Sequence, residues 1–97
     1  MRIIGRKPLR DLADRFPDAK GQLDVWWSEV QRANWFTPSD IKTQYGSASI
    51  LRAGRVVFNI CGNKYRLIVK FDMRAQLGFV RFAGTHEEYD KVNAEEI

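Results

Sequence analysis

The amino-acid sequence predicts an α+β fold in which two N-terminal helices cover one face of an antiparallel sheet, in the order β-α-α-β-β-β-α. Three observations carry this prediction. Two stretches before residue 34 repeat apolar residues with helical spacing, and three runs after residue 54 alternate as strands do. A two-residue hairpin signal, Gly62-Asn63, joins the first two of those runs.

In chain order, Met1–Gly5 holds adjacent Ile3 and Ile4 and fits a short edge strand. Lys7-Pro8 opens the first helix, since proline near the first helical position forgoes an N–H that has no partner there. Leu9, Leu12, Ala13 and Phe16 fall on one stripe, and Pro17 ends it. Asp18 suits the N-cap of the second helix, which runs to about Ala33 on the stripe Leu23, Trp26, Trp27 and Val30. The Trp pair on that stripe is read as core. From Asn34 to Gly54 neither period holds. The reading there is a long connection with a turn or cap at Thr37-Pro38-Ser39-Asp40, carrying at most a turn of helix or a short extended piece.

The stretch from Arg55 to Asp90 organises the rest. Side chains alternate across a strand, so Tyr65, Leu67, Val69 and Phe71 face the core and Lys64, Arg66, Ile68 and Lys70 face away. In the strand before, Phe58 and Ile60 are core, leaving Arg55 and Asn59 on the far side. In the strand after, Val80 and Phe82 are assigned to the core and Arg81 to the far side with Phe79. Pairing as meander neighbours gathers Arg55, Asn59, Arg66, Lys70 and Arg81 on one face that holds no acidic residue. Thr85-His86-Glu87-Glu88 then fits a capping box. It places His86 in the first turn of a helix, where the dipole disfavours the imidazolium and leaves the ring available as a base. Tyr89 lies three residues on, on the same side.

Composition narrows the function classes. The chain has 97 residues, a net charge of +4, one cysteine and one histidine. That excludes an internal disulfide and makes a protein-only metal site improbable, so no metal and no cofactor are expected. No apolar run approaches a membrane span and no signal region opens the chain, so a soluble, cytoplasmic protein with no membrane partner is expected. Phosphate-binding glycine loops, nucleophile elbows and paired strand carboxylates are missing. A basic sheet face ending at His86 and Tyr89 suits RNA cleavage without a metal. A base takes the 2′-hydroxyl proton, cations stabilise the charge building on phosphorus, and an acid protonates the leaving 5′-oxygen. The alternative is a non-catalytic basic module that binds RNA or a protein.

Val57-Phe58-Asn59-Ile60, Gly62 to Leu67 (GNKYRL), Gly84-Thr85-His86 and Glu88-Tyr89-Asp90 resemble the HigB-type toxins of bacterial type II toxin–antitoxin systems, within the RelE-like group. Thr37-Pro38, Asp40-Ile41-Lys42 and Met1 to Lys7 fit the same pattern, so the resemblance spans nearly the whole chain, read as one domain over 1–97. It implies a RelE-like fold with two N-terminal helices on a twisted antiparallel sheet. It implies an mRNA interferase acting on the translating ribosome, neutralised in a toxin–antitoxin hetero-oligomer by a HigA-type antitoxin with a helix-turn-helix domain. It also implies that Arg66 and Arg81 hold phosphates, with Lys64 and Lys70 supporting, and that His86 and Tyr89 transfer the protons.

Overall fold

The computed structural model describes residues 1–97. Strand β1 (Arg2–Ile4) leads into helix α1 (Arg6–Arg15). A 3₁₀ turn (Pro17–Ala19) then joins α1 to α2 (Lys20–Arg32). Helix α3 (Pro38–Gln44) and the two-residue strand β2 (Ser49–Ile50) come next. The meander β3 (Arg55–Ile60), β4 (Tyr65–Asp72) and β5 (Leu77–Thr85) ends in the single turn α4 (His86–Tyr89). The five strands lie in the order β1-β5-β4-β3-β2.

The helices cover one face of the sheet, as the apolar stripes require. Leu12, Trp26, Val30, Phe58, Leu67 and Val69 are at most 2% exposed and form the centre of one apolar cluster with Leu9, Leu23, Ile41 and Phe71. Trp26 meets Phe58 edge-on at 5.3 Å, and Phe58 in turn meets Tyr45 and Phe71. Trp27 is half-buried, with the Arg6 guanidinium 5.2 Å from its ring.

Four expectations are corrected. First, the sheet is mixed. β1 pairs with β5 in parallel while every other pair is antiparallel. The helices carry the chain from β1 to β2 at the opposite edge, and the meander then returns it so that β5 lies along β1. Second, residues 38–44 form a real helix. Thr37 Oγ1 accepts from the Asp40 N–H while the Asp40 carboxylate accepts from the Thr37 N–H, and Pro38 sits at the first helical position. Third, Asp18 does not cap α2. Its carboxylate instead accepts from the Tyr65 hydroxyl at 2.7 Å and from Lys64 Nζ at 2.8 Å, tying the helical layer to the start of β4.

Fourth, Phe82 does not face the core. The β4–β5 register shifts at Ile68/Val69, so Val69 pairs with Val80 and Ile68 with Phe82, and Arg81 has no partner. This is a β-bulge, one extra residue on one strand, and it reverses the alternation beyond it. Phe82 therefore joins Ile68 on the side away from the helices, where its ring lies 6.4 Å from Tyr89.

The hairpins follow their turn chemistry. Gly62 takes a φ of +68° as the Gly-Asn signal requires, and Cys61 is left-handed as well, which makes a four-residue loop between the last pair Ile60 and Tyr65. Asp72 Oδ1 accepts from the Ala75 N–H to close the second turn. Gly54 is the tightest position of the chain. Its φ is +76° and a Cβ there would stand 2.5 Å from the Phe71 carbonyl oxygen.

Candidate functional site

The far face of the sheet is the face without helices, and its floor is set by register. Arg55 pairs with Lys70, Val57 with Ile68 and Asn59 with Arg66 across β3 and β4. On β5, Gly84, Phe82 and Phe79 stand opposite Arg66, Ile68 and Lys70. Partners in a ladder share a face, so Arg55, Asn59, Arg66 and Lys70 do lie on one side. The bulged Arg81 lines a shallow cavity of about 290 Å³ together with Lys70, Asp72 and Phe79.

This face is not open throughout. Val57 and Ile68 are buried to 2% and 0%, yet neither belongs to the cluster under the helices. On this side of the sheet α4 packs against β4 and β5, and the segment after it reaches Arg52 and Arg55. Arg55 is also buried, at 7% exposure, with its Nε donating to the Ile97 carbonyl at 2.9 Å. Nearby, Arg52 reaches Glu95 at 3.8 Å. The C-terminal segment therefore occupies the Arg55 end of the face. Asn59 is half-exposed and gives its amide to the Ser47 carbonyl at 3.2 Å.

Arg66 lies at the middle. Its guanidinium carbon is 4.9 Å from the centroid of the Tyr89 ring, and Tyr89 packs in turn on Phe82. Gly84, opposite Arg66, makes this stack possible, since a Cβ at that position would meet the Phe82 ring at 2.6 Å and Glu88 Oε1 at 2.9 Å. The Arg66 Nε is sealed from solvent with no acceptor. No carboxylate stands within ion-pair distance of Arg66, Lys70 or Arg81, whereas Arg6, Lys7, Arg15, Lys20, Arg52 and Lys64 all have one.

Helix α4 is anchored from the opposite side. Thr85 Oγ1 accepts from the Glu88 N–H at 3.1 Å, and Glu88 Oε1 accepts from the Thr85 N–H at 2.9 Å. The second Glu88 oxygen takes Arg15 of α1 at 2.9 Å. The Thr85 amide and then the Arg15 guanidinium hold the Glu88 carboxyl below the ordinary glutamate range. Glu88 thus fixes the turn that presents His86 and Tyr89.

His86 faces a different neighbourhood from Tyr89. Its Nδ1 lies 3.3 Å from an Asp90 carboxylate oxygen, which can orient the ring. It lines a wide, shallow cavity with Lys64, Asn63, Phe16 and Glu87. Lys64 leans to the helical side, where the hydrogen bond to Asp18 raises its pKa and lowers that of Asp18. Lys64 is therefore grouped with His86 and not with Arg66.

The predicted residues thus form a strip. His86 and Lys64 lie at one end, Arg66 and Tyr89 in the middle, Lys70 and Arg81 beyond them, and Arg55 under the C-terminal segment. Sequence reasoning missed Phe82, which builds the Tyr89 wall, and Glu88 and Arg15 as the anchor of α4. The capping box was the one signal for Glu88. Nothing in the sequence pointed to Arg15.

The model of a family described as HigB_toxin, RelE-like toxic component of a toxin-antitoxin system, matches residues 19–92. Among curated proteins, the chain is 27% identical over 92 residues to the mRNA interferase toxin HigB of Escherichia coli strain K12. That match covers 93% of this chain and 88% of the relative. The mRNA interferase HigB of Shigella flexneri is similar to the same extent. An mRNA interferase HigB of Escherichia coli O6:H1 is 23% identical over 95% of this chain and 91% of its own length.

Proposed function

The chain belongs to the HigB family of RelE-like toxins of toxin–antitoxin systems, and from that premise we propose that it cleaves mRNA at the Arg66–Tyr89 strip. The observation that carries the placement is the set of unpaired cations. Arg66, Lys70 and Arg81 share the far face of the sheet, and none of the three has a carboxylate within ion-pair distance. Cations held apart from carboxylates by a rigid sheet suit a phosphodiester, which carries its charge throughout the reaction and gains more at the transition state.

The chemistry needs the RNA 2′-hydroxyl. A base removes its proton, the 2′-oxygen bonds to phosphorus, and the bond to the 5′-oxygen breaks as an acid protonates it. The products are a 2′,3′-cyclic phosphate and a 5′-hydroxyl end. Arg66 is positioned for the non-bridging oxygens, because its planar fork is pre-organised by the Tyr89 ring. Arg81 and Lys70 hold the next phosphate along the strip. His86 and Tyr89, at the two ends of the one-turn helix that Glu88 fixes, are the proton-transfer pair. Lys64 adds positive charge beside His86, and Asn59 is a polar neighbour of Arg66 within the ladder.

Family membership carries an antitoxin partner and an mRNA substrate. We take the antitoxin to be of the HigA type with a helix-turn-helix domain, and cleavage to occur on translating ribosomes in the cytoplasm. No helix of the protein is long and apolar enough to cross a membrane.

The test is expression in a bacterium with 5′-end mapping of cellular mRNA. The intact chain should arrest growth and create new 5′-hydroxyl ends. Arg66→Ala and His86→Ala, both folded, should do neither. Full toxicity from both folded variants refutes the site.

A further inference from the structure

Phe79 is an aromatic ring with no structural task that the fold explains. It lies outside the apolar cluster under the helices and in none of the aromatic pairs that knit the protein together. The register puts it on the far face of the sheet, between Lys70 of β4 and Ile4 of β1. Ile4 is itself one of the exposed large apolar residues, at 41%. Arg2, two residues before Ile4, lies on the same face by alternation, and Arg81 lines the Phe79 cavity from the bulge. The result is a small apolar plate, an aromatic ring extended by an isoleucine, ringed by three cations without carboxylate partners. The one acid nearby, Asp72, is engaged with the Ala75 N–H.

We propose that this plate is a nucleobase-stacking subsite. One base of a single-stranded RNA lies on Phe79 and against Ile4, with the flanking phosphates held by Lys70 and Arg81. The inference rests on the reading of the far face as an RNA surface and extends it beyond the scissile phosphate. Its physical basis is that an aromatic face binds any base by stacking while cations track the backbone, so affinity comes without a fixed sequence. Alternation places Arg81 on the same side as Phe79, and the bulge leaves it without a ladder partner where it lines the Phe79 cavity. The charge balance at the plate favours a nucleic acid over a protein partner, since three cations stand there against the single carboxylate of Asp72.

The experiment uses the full chain and a short 2′-O-methyl oligoribonucleotide, which cannot be cleaved, with versions carrying one abasic nucleotide at each position in turn. Binding is measured at low and moderate salt. With the natural protein, one abasic position should weaken binding roughly 5- to 100-fold, the range for loss of one stacked base. Phe79→Ala should weaken the intact probe by the same factor and no longer sense that position, while Phe79→Tyr should behave as the natural protein. Phe79→Ala should leave the salt dependence unchanged, whereas Lys70→Ala or Arg81→Ala should each lower its slope by about one. If no abasic position matters to the natural protein, or if Phe79→Ala still senses it, the subsite is wrong. That scan with the natural protein needs no variant, so poor folding of one does not block it. Loss of antitoxin binding by Phe79→Ala with RNA binding intact also overturns the subsite. A protein that shows the base dependence but never cleaves mRNA overturns the nuclease reading and leaves the subsite standing. One that cleaves without base dependence does the reverse.

Discussion

The Arg66 guanidinium lies on the Tyr89 ring, its central carbon 4.9 Å from the ring centroid, and its Nε is shut off from both water and protein acceptors. An arginine held so is costly unless its remaining donors meet an anion. Their orientation is fixed before substrate arrives, which removes part of the entropy loss on binding. Arg66→Lys should therefore fail nearly as badly as Arg66→Ala, because an ammonium offers no planar fork and does not stack. We expect a loss of about 10²- to 10³-fold in cleavage from either, as for removal of one preorganised donor at a transition state. Cleavage of a defined mRNA on purified ribosomes measures it. A lysine variant with near-natural rate would show that charge alone suffices.

Tyr89 combines two tasks that one substitution separates. Tyr89→Phe keeps the ring beneath Arg66 and removes only the hydroxyl. If that hydroxyl transfers a proton, the variant should bind RNA normally and lose about 10²-fold or more in rate, the range for a positioned acid or base. Tyr89→Ala should lose the platform as well and weaken RNA binding. Equal activity of Tyr89→Phe and the natural protein would reassign Tyr89 to a purely positioning role.

Glu88 makes the site sensitive to acid. Its folded-state pKa is depressed by the Thr85 amide and by Arg15. A group whose pKa falls on folding contributes stability above its unfolded value and loses it as pH drops through the folded one. The α4 turn should therefore be fully anchored from neutral pH down to the ordinary glutamate range and loosen below it. Glu88→Gln should abolish that dependence in the acid limb of thermal stability. Thr85→Ala, which removes the reciprocal cap, should cost about 1 kcal/mol. Both variants should lower cleavage while leaving RNA affinity in the range of the natural protein, since Lys70 and Arg81 do not rest on α4.

The sequence made some of this plain and concealed the rest for physical reasons. The two helices, the meander and the Thr85 cap follow local rules of period and capping, and they appear as predicted. Helix α3 carries the same Thr-x-x-acid signature at Thr37 and Asp40, with Asp in the place where Glu is usual, and it runs for seven residues where the sequence suggests a cap and at most one turn. The parallel β1–β5 pair brings together residues more than seventy apart, and no local pattern encodes it. The bulge at Arg81 is equally silent, because alternation continues unbroken on either side of it. The cations of the far face mark it as an RNA surface but say nothing of the segment that lies over part of it. Val57 and Ile68, two β-branched residues on a polar face, were the sign that something covers it.

What covers it gives the last prediction. By alternation Arg55 belongs with the RNA-facing cations of its strand face. In the fold it is one of the most buried charged side chains, and it holds the end of the chain through the Ile97 carbonyl. A buried charged donor that loses its acceptor, or an acceptor that loses its donor, typically costs about 1.5–3 kcal/mol. In a domain of this size each kcal/mol shifts Tm by roughly 4–8 °C. Arg55→Ala should therefore lower Tm clearly, yet leave the salt slope of RNA binding as it was. Lys70→Ala, one ladder position across, should do the opposite, with Tm little changed and the slope reduced by about one. Ending the chain at Asp90 should reproduce the Arg55→Ala destabilisation and uncover Val57 and Ile68, seen as increased binding of a hydrophobic dye. A reduced salt slope for Arg55→Ala would mean that the segment lifts away when RNA binds and that Arg55 reaches a phosphate after all.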